Sequence, residues 1–421
     1  MNRRFSSEQM DAWLTLIGKA VNGRSLNEAS ECIKKLNWKD FYDICLKNNV
    51  ASFVYSAIEK CDVKKDVPTE ILQEWKSVAQ YIMKKQIKQY VQLRNVLRAT
   101  DQQFIVFFKG PVLADLYPNY LERSSSDTDI WVPEGQYAKT EQSLLDLGYV
   151  KNEEASKPEV GVYYLSKYQH TIELHIRLWE DYKGKKIEIL SSMNLTEKES
   201  FIELEACGIP IITLGHTEHM IFQMFHIIKH FSLQGIGIKY LADISLFVNR
   251  YKEEINWDRF WDSMDKLGYI KFCNNFFDIC TKYFEMCKIT QENTRNEWQL
   301  CEEKLWDFIE DLLKKGVIDE GSANWQIFGA MTPYFTGEYS APKEGWKKKL
   351  LILFPSRKGL PNNYGYAKKC PILLPVAWIH RFILFVIRRI GNVNNTYNAS
   401  QKMNVTNYRL QMMENMGLME D

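Results

Sequence analysis

The chain has 421 residues, of which 45% are hydrophobic and 25% are charged, and its formal net charge is +1. This length accommodates two or three domains, and the composition is ordinary for a globular protein. The balanced charge excludes a global basic field that would attract nucleic acid, while a local basic patch stays open.

The nine cysteines include no Cys-x-x-Cys pair. Cys273, Cys280 and Cys287 recur every seven residues, which predicts that they share one helical face. Buried thiols that act as small hydrophobic side chains explain this spacing better than a metal site does. Such cysteine usage is typical of a reducing compartment, so we expect a cytoplasmic protein. Residues 1–13 contain no apolar core and predict no secretory signal.

The first hundred residues predict a helical region that precedes the first clear strand. Residues 7–21 have the spacing of a capped amphipathic helix, with apolar side chains on one face. A long helix is expected to start near Pro68, at a position that tolerates proline, and to run to about Ala99. Two shorter helices are predicted between them, at residues 38–47 and 51–59.

Residues 103–214 predict a core in which strands and helices are mixed. A helix is expected at about residues 135–147, and a hairpin or edge pair at 201–205 and 209–213. This order is typical of a small mixed sheet with helices packed on it. The other strands are predicted at residues 104–108, 130–132, 162–166 and 170–178.

A compact series of local features occupies residues 104–132. An apolar strand at 104–108 stops at Lys109-Gly110, and a helix-compatible segment follows at 111–117. A serine run at 124–126 then leads into Asp-Thr-Asp and a second apolar strand. Short apolar runs bounded by Gly, Pro and Ser are typical of buried strands.

Asp127 and Asp129 are two residues apart at the edge of that second strand. Strand side chains alternate, so both carboxylates point to the same side. Two like charges held close repel each other unless a cation lies between them. Oxygen ligands suit a hard cation such as Mg²⁺ or Mn²⁺. The alternative is a simple polar turn, because Ser and Asp are common in turns.

The strand at residues 170–178 alternates strictly between polar and apolar side chains. Glu173, His175 and Arg177 are predicted to share one face. A half-exposed strand whose polar face meets water would explain this alternation without any further role.

Residues 215–315 turn to a helical pattern. His216, His219, His226 and His230 have spacings that predict one helical face. A polar face that lines a cleft explains them better than a zinc site, which needs a tighter set of ligands. On the next helix Lys239 and Asp243 lie four residues apart, as in a surface ion pair.

The last hundred residues begin with a segment, 316–362, that predicts loops with short elements. Residues 370–389 form the most apolar stretch, but prolines, a histidine and an arginine interrupt it, and a bilayer span needs about twenty apolar residues. We expect this helix to pack on the body. Its basic flanks and its tryptophan make peripheral membrane contact through residues 370–390 the second interpretation. The tail after Asn392 is expected to be flexible.

The order strand, Lys-Gly, helix, polar loop, Asp-x-Asp, strand resembles the nucleotidyltransferase superfamily of DNA polymerase β. Within it, the chain looks like the bacterial family of uncharacterised nucleotidyltransferases, whose pattern is L-K-G-x-x-L-A-x-x-Y-P followed by R-x-x-x-D-x-D. The positions that carry the likeness are Phe108-Lys109-Gly110, Leu113-Ala114, Tyr117-Pro118, Arg123, Asp127 and Asp129. Further along, Glu173-Leu174-His175 stands where that family usually has Asp-Leu-His.

The resemblance implies an α+β fold with a polymerase β-like nucleotidyltransferase core, flanked by N-terminal and C-terminal helical regions. The expected division is a helical region at 1–102, the core at 103–214, a helical domain that walls the cleft at 215–320, and a loop-rich segment with the apolar helix at 321–421.

The resemblance also implies a metal-dependent enzyme that moves a nucleoside monophosphate from a nucleoside triphosphate to an unknown hydroxyl acceptor, small molecule or macromolecule. Asp127, Asp129 and Glu173 are then the catalytic carboxylates and the ligands of Mg²⁺ or Mn²⁺. The residues expected to bind nucleotide are Lys109, Gly110, Arg123 and Ser126. The residues expected to line the cleft are His175, His226, Lys229, His230, Lys239 and Asp243.

Some alternatives stay open at this point. Lys109 is either a phosphate ligand or a side chain that snorkels at the end of its strand, and Arg123 either binds phosphate or anchors its loop. The whole chain is alternatively an inactive nucleotide-binding module, or a membrane-surface accessory protein of a biosynthetic locus.

Overall fold

A computed structural model of the protein describes residues 4–34, 36–179, 185–289, 299–315, 354, 360, 364–391 and 399–419. Within these ranges a seven-stranded mixed sheet is flanked by helices at both ends of the chain. The predicted α+β class is therefore confirmed. The predicted loop segment at 316–362 lies outside the described residues, apart from Phe354 and Leu360.

The N-terminal helices confirm the sequence pattern closely. Ser6 caps the first helix, where its Oγ accepts from the backbone of Gln9 and the Gln9 side chain accepts from the Ser6 N–H. The pattern missed a 3-10 turn at Leu26–Ala29, the short helix after it, and a second 3-10 turn at Asp62–Asp66. The helices are α1 (Ser7–Val21), α2 (Ser30–Lys34), α3 (Trp38–Lys47), α4 (Ala51–Glu59) and α5 (Thr69–Ala99).

The sheet has the strand order β3-β4-β5-β2-β1-β7-β6. Strand β2 pairs in parallel with β5, and β1 in parallel with β7, while the other neighbours are antiparallel. The strands are β1 (Val106–Phe107), β2 (Asp127–Trp131), β3 (Val150–Lys151), β4 (Val160–Leu165), β5 (His170–His175), β6 (Phe201–Ala206) and β7 (Ile209–Leu214).

Several strand bounds differ from the prediction. Strand β1 is shorter than 104–108, and β3 was not predicted. Strand β5 ends at His175, because the neighbouring strands β2 and β4 supply register partners only that far. Arg177 therefore does not share a strand face with Glu173 and His175, as the alternation had predicted.

Three helices belong to the sheet region: α6 (Pro111–Ala114), α7 (Tyr137–Asp146) and α8 (Lys185–Ser192). Helix α6 is a single turn and ends before the predicted 111–117. Asp115 leaves the helix and accepts a 2.6 Å hydrogen bond from the backbone N–H of Cys207. Pro118 disfavours a helical conformation at the residue before it.

The second helical region contains α9 (His216–Leu233), α10 (Lys239–Tyr251), α11 (Trp257–Lys266), α12 (Ile270–Phe284) and α13 (Glu302–Leu313). Cys273 and Cys280 are buried within α12, and burial raises the pKa of both thiols. Cys287 lies beyond the end of α12, so the prediction of one helical face for all three cysteines was wrong for this residue.

The two faces of the sheet pack against different parts of the chain. On one face, Phe107, Ile130, Ile172 and Leu174 share a hydrophobic cluster with residues of α5 and α7. On the other face, Phe108 joins a larger cluster built from α1, α3, α4 and α9–α13. Since side chains alternate along a strand, Asp127, Asp129, Glu173 and His175 point to the face that α9 covers.

The C-terminal helices are α14 (Gly365–Lys369), α15 (Leu374–Gly391) and α16 (Ala399–Asn415). Helix α16 packs on the body, because the fully buried Arg409 bonds to Asp311 of α13 at 2.6 Å and to the carbonyl of Phe231. The expectation of a flexible tail was therefore wrong over α16. No helix in the described ranges is long and apolar enough to cross a bilayer.

Candidate active site

A cavity of about 410 Å³ lies between one face of the sheet, at β2 and β5, and the helices α9 and α10. Every residue that the resemblance assigned to catalysis, to nucleotide binding or to the cleft lines this cavity. These residues are Lys109, Gly110, Arg123, Ser126, Asp127, Asp129, Glu173, His175, His226, Lys229, His230, Lys239 and Asp243.

The parallel pairing of β2 with β5 brings the acidic residues together. In this register Asp129 lies directly across from Glu173, and Trp131 lies across from His175. Opposite residues in a sheet point to the same side. The strands therefore present Asp127, Asp129 and Glu173 to one cavity, although more than forty residues of the chain separate Glu173 from the Asp pair.

Asp129, Glu173 and His175 form a compact group in which one donor atom of each residue lies within 4.8 Å of the others. The Nε2 atom of His175 is 3.5 Å from Asp129 Oδ1 and 3.6 Å from Glu173 Oε2. Asp129 is buried, whereas the Glu173 side chain remains 33% exposed to the cavity. The group therefore has one buried and one accessible carboxylate.

Lys109 forms an ion pair with this group. Its Nζ lies 2.7 Å from Asp129 Oδ1, and on the other side 3.4 Å from Nε2 of His226. The side chain is largely buried, so it is not a snorkelling side chain at the surface. It connects the end of β1 to both the carboxylates and α9.

The charges of the site hold one another in their ionised states. Burial alone would lower the pKa of Lys109, but the carboxylates of Asp129, Asp127 and Glu173 outweigh it and raise that pKa. Burial alone would raise the pKa of Asp129, but Lys109 and then His175 hold it well below its usual range. Asp129 is therefore a carboxylate and Lys109 an ammonium group at neutral pH.

Asp127 behaves differently from its neighbour in the pair. Burial and the repulsion of Asp129 raise its pKa, and Lys109 offsets only part of this. The charged form of Asp127 is therefore the one that a bound cation would stabilise most. Its carboxylate accepts a hydrogen bond from Ser126 Oγ at 3.3 Å.

The donor atoms fit a divalent cation. His175 Nε2 is buried, and within the described chain it has no hydrogen-bond partner, although it faces two carboxylates. Two carboxylates and an imidazole accommodate Mn²⁺ more readily than Mg²⁺, which prefers oxygen ligands in a near-octahedral arrangement. The sequence placed His175 in the lining of the cleft, on the same strand face as Glu173, and did not assign it to the metal.

Arg123 is held in place by Asp243. Its Nε donates to Asp243 Oδ1 at 2.8 Å and its Nη2 to Oδ2 at 2.9 Å, and the Tyr117 hydroxyl donates to Oδ1 at 2.8 Å. Both side chains of the ion pair are buried. This arrangement favours the loop-anchoring interpretation of Arg123 over direct binding of phosphate.

Lys239 holds the serine run next to the Asp pair, because its Nζ donates to the carbonyl of Ser124 at 3.1 Å. Burial, followed by the charge of Arg123, lowers the pKa of Lys239 to about 8. The Ser125 hydroxyl donates a 2.9 Å hydrogen bond to the carbonyl of Asp127, which fixes the backbone between the serine run and the Asp pair. Lys239 is therefore a partner of the loop, not an exposed ion-pair residue.

The backbone conformation at position 110 requires glycine. Its φ angle is +58°, in the left-handed region where a side chain is strained. The following helix α6 is a single turn, and Val112 uses its N–H to bond the carbonyl of Lys109. The segment after Gly110 therefore offers few backbone N–H groups to a phosphate, which weakens the expectation that Gly110 binds nucleotide.

The four histidines of α9 have different environments. His226 and His230 line the cavity. His219 is buried next to the sheet, where its Nε2 donates a 2.8 Å hydrogen bond to the Phe108 carbonyl. His216 stacks on Tyr251 with ring centroids 3.9 Å apart. The prediction of one cleft-facing row was therefore wrong for His216 and His219, because His216 packs on α10 and His219 bonds to the backbone next to β1.

Sequence reasoning missed several residues that complete the cavity. Tyr240 lies beside His230 with ring centroids 6.4 Å apart, and Phe222 packs on Phe108. Asn48 reaches the cavity from the end of α3, where its Oδ1 accepts from the N–H of Ile238 at 2.8 Å. These residues come from distant segments, and no local pattern distinguishes them from core residues.

Residues 34–285 match a protein family described as "Uncharacterised nucleotidyltransferase". The matched span covers more than half of the chain and contains the whole sheet and every predicted site residue. No curated protein and no solved structure matches the chain.

Proposed function

This chain belongs to the family of uncharacterised nucleotidyltransferases, and on that premise we propose that it is a metal-dependent enzyme of the polymerase β-like kind. It transfers a nucleoside monophosphate from a nucleoside triphosphate to a hydroxyl acceptor. The observation that carries the proposal is the group formed by Asp129, Glu173 and His175 within 4.8 Å, on adjacent strands that face one cavity.

In the proposed reaction the acceptor oxygen forms a bond with the α-phosphorus. The bond from this phosphorus to the bridging oxygen breaks, pyrophosphate leaves, and the hydroxyl proton passes to a base. Such chemistry depends on positioning and on neutralisation of phosphate charge more than on covalent catalysis.

Asp129 and Glu173 are the residues that would hold a cation, together with Asp127, His175 or both. A bound divalent cation supplies neutralisation of phosphate charge and a lowered pKa at the acceptor hydroxyl. In the proposed assignment the Asp pair serves the triphosphate and Glu173 serves the acceptor. Asp129 is buried and fixed by Lys109, whereas Glu173 is accessible from the cavity, which supports this division.

The lining of the cavity favours an anionic substrate. Among the residues described, it includes six cationic side chains against four carboxylates. The cations are Lys109, Arg123, Lys157, Lys229, Lys239 and Lys315, and the carboxylates are Asp127, Asp129, Glu173 and Asp243. Because an opposite charge in a cleft raises the local concentration of a ligand, this excess supports binding of a triphosphate.

The first experiment measures binding. Nucleoside triphosphate is titrated calorimetrically into the wild type and into Asp127→Asn/Asp129→Asn, with and without Mg²⁺ or Mn²⁺. We expect metal-dependent binding that the double substitution abolishes. The matched control is Asp262→Asn/Asp265→Asn, which removes two exposed carboxylates from α11. Unchanged metal-dependent binding in the site variant would contradict the proposal.

The second experiment measures transfer. α-labelled nucleoside triphosphates are incubated with the protein, a divalent cation and pooled acceptors, and labelled products are separated from free nucleotide. Label on an acceptor, lost in Asp127→Asn/Asp129→Asn, is the expected result. If metal-dependent binding persists while no acceptor is labelled, the inactive binding module replaces the enzyme as the explanation.

A further inference from the structure

The net positive charge of this chain is concentrated in one segment, because that segment contains no acidic residue. Residues 345–413 contain twelve Lys and Arg residues and no Asp or Glu, so this segment carries +12. The whole chain has a net charge of +1, and the remainder therefore carries −11. A long basic segment in an otherwise acidic protein indicates an anionic partner for that segment.

Within this segment, one side of the turn before α15 and of α15 itself exposes large apolar side chains. Ile372, Val376, Ile379 and Ile383 have exposed fractions of 85%, 50%, 59% and 49%. Their spacings of four, three and four residues place them on one helical face. They are four of the twelve large apolar side chains that are exposed in the described part of the chain, and they lie within twelve consecutive residues.

The opposite side of α15 is covered by its own neighbours. Ala377 is fully buried in a small cluster with Leu360, Tyr364 and Ala367, separate from the two clusters of the sheet. The His380 ring also bonds to the Tyr366 hydroxyl at 3.0 Å. The C-terminal helix that packs on the body is thus α16. Helix α15 packs instead on α14, and its apolar face points outwards.

We propose that this face, formed by Ile372, Val376, Ile379 and Ile383, binds the surface of an anionic lipid bilayer. Helix α15 lies in the plane of the interface, with its apolar side chains below the headgroups and with Lys368 and Lys369, which precede it in the chain, at the headgroups. The proposal is independent of the reaction assigned to the cavity.

The charge pattern favours lipid over other occupants of the face. A second copy of the chain would bring a second +12 segment against the first, and like charges repel. A nucleic acid would satisfy the basic residues but would leave the apolar side chains exposed. An anionic bilayer satisfies both, because apolar side chains enter the acyl boundary while basic residues remain at the headgroups.

The test is sedimentation of the full-length chain with vesicles of phosphatidylcholine alone or mixed with phosphatidylserine. We expect binding to the mixed vesicles and little binding to phosphatidylcholine alone. Ile379→Asp should weaken binding by roughly tenfold or more, since it removes an apolar side chain and adds a negative charge. Lys368→Gln/Lys369→Gln should weaken it by roughly tenfold on the mixed vesicles.

The matched control is Val150→Asp, which makes the same kind of change at a side chain of β3 that is 69% exposed. It should bind vesicles as the wild type does. Because Ile379 and Val150 are both exposed, the melting curves of both variants, followed by circular dichroism, should match that of the wild type.

Three results would overturn the proposal. The first is equal vesicle binding by the wild type and Ile379→Asp. The second is absence of vesicle binding together with a dimer, seen by light scattering, that Ile379→Asp dissociates, which would assign the face to a second copy. The third is tight, salt-sensitive binding of an RNA oligonucleotide without any vesicle binding.

Discussion

Arg123 and Asp243 are joined by two parallel hydrogen bonds, 2.8 and 2.9 Å long, although 120 residues separate them in the chain. The pair connects the segment before β2 to α10 and lies directly behind the serine run. Since both side chains are buried, each depends on the other for its counter-charge. Asp243 keeps its charge because Arg123 outweighs burial and lowers its pKa.

Loss of one member of this pair should destabilise the fold. Asp243→Asn leaves the Arg123 guanidinium buried without a counter-ion, so the free energy of unfolding should fall by about 3 kcal/mol, as for other broken buried pairs. The measurement is urea unfolding followed by circular dichroism. The control is Asp262→Asn, which breaks an exposed pair with Lys266 and should change stability little. An equal loss in both variants would contradict the argument.

Glu173 should affect turnover more than nucleotide affinity. Glu173→Gln keeps the shape of the side chain and removes its charge, so we expect kcat to fall by about a hundredfold or more. The Kd for nucleotide should shift by no more than a few-fold, because an interaction made only in the transition state leaves ground-state binding unchanged. Single-turnover kinetics and calorimetry separate the two effects.

The matched control for this change is Glu203→Gln, at an exposed position on β6 of the same sheet. It should leave kcat unchanged. If His175→Ala abolishes turnover while Glu173→Gln leaves it intact, Glu173 is not the third carboxylate and His175 acts as the base.

His175 should contribute to the choice of metal. A spectroscopic titration of Mn²⁺ into His175→Asn should show an affinity weaker than that of the wild type by roughly tenfold or more. Even the loss of a residue that only hydrogen-bonds a metal ligand weakens metal binding by that much. Binding of Mg²⁺ should change less, because Mg²⁺ favours oxygen ligands. His226→Asn is the control: it lines the same cavity but lies outside the group of Asp129, Glu173 and His175. Equal losses in both variants would remove His175 from the ligand set.

Stability should fall as the solution becomes acidic, in part because of His219. Burial lowers the pKa of this ring to about 3, against 6.5 ordinarily. Between these values the unfolded chain binds a proton at this position and the folded chain does not. The free energy of unfolding therefore decreases as the pH falls from 6.5 towards 3, by up to about 1.4 kcal/mol per pH unit.

The test of this prediction is His219→Gln, which keeps a donor for the Phe108 carbonyl and removes the titration. Urea unfolding at a series of pH values should show that this variant takes up about one proton fewer on unfolding than the wild type does. Its free energy of unfolding should therefore fall less steeply as the pH is lowered. Parallel curves would show that His219 is not responsible.

Helix α1 approaches α12 closely at Gly18. A Cβ atom built at this position would lie 1.7 Å from the carbonyl oxygen of Tyr283, which is backbone and cannot rotate away. Gly18→Ala should therefore reduce the free energy of unfolding by about 3 kcal/mol or prevent folding, as overpacked helix contacts do. Gly135→Ala is the control, since no atom lies within 4 Å of its Cβ position, and it should leave the melting temperature unchanged.

The local pattern was sufficient for much of the secondary structure. The bounds of α1, α3 and α4 are confirmed because side-chain periodicity and caps act between residues a few positions apart. The Asp-x-Asp pair and Glu173 could be placed on strand faces for the same reason, since alternation is a property of the single strand. Their chemical roles stay predictions.

Tertiary structure decided the features that depend on which segments meet. Strand β5 ends where its neighbours stop pairing, so Arg177 leaves the face that the alternation had given it. His216 and His219 are directed away from the cavity, because His216 stacks on Tyr251 of α10 and His219 bonds to the Phe108 carbonyl. The role of Arg123 depends on Asp243, and that of α16 on Asp311, partners that no local pattern identifies.

The sequence by itself therefore determined which residues carry charge and on which side of a helix or strand they lie. The tertiary structure alone decided that Lys109 pairs with Asp129 and that His175 joins the two carboxylates. The physical reason is range: propensity and periodicity act through neighbouring residues of the backbone. Ion pairs and burial act through space, and their strength depends on a dielectric environment that exists only after the sheet and α9 have packed.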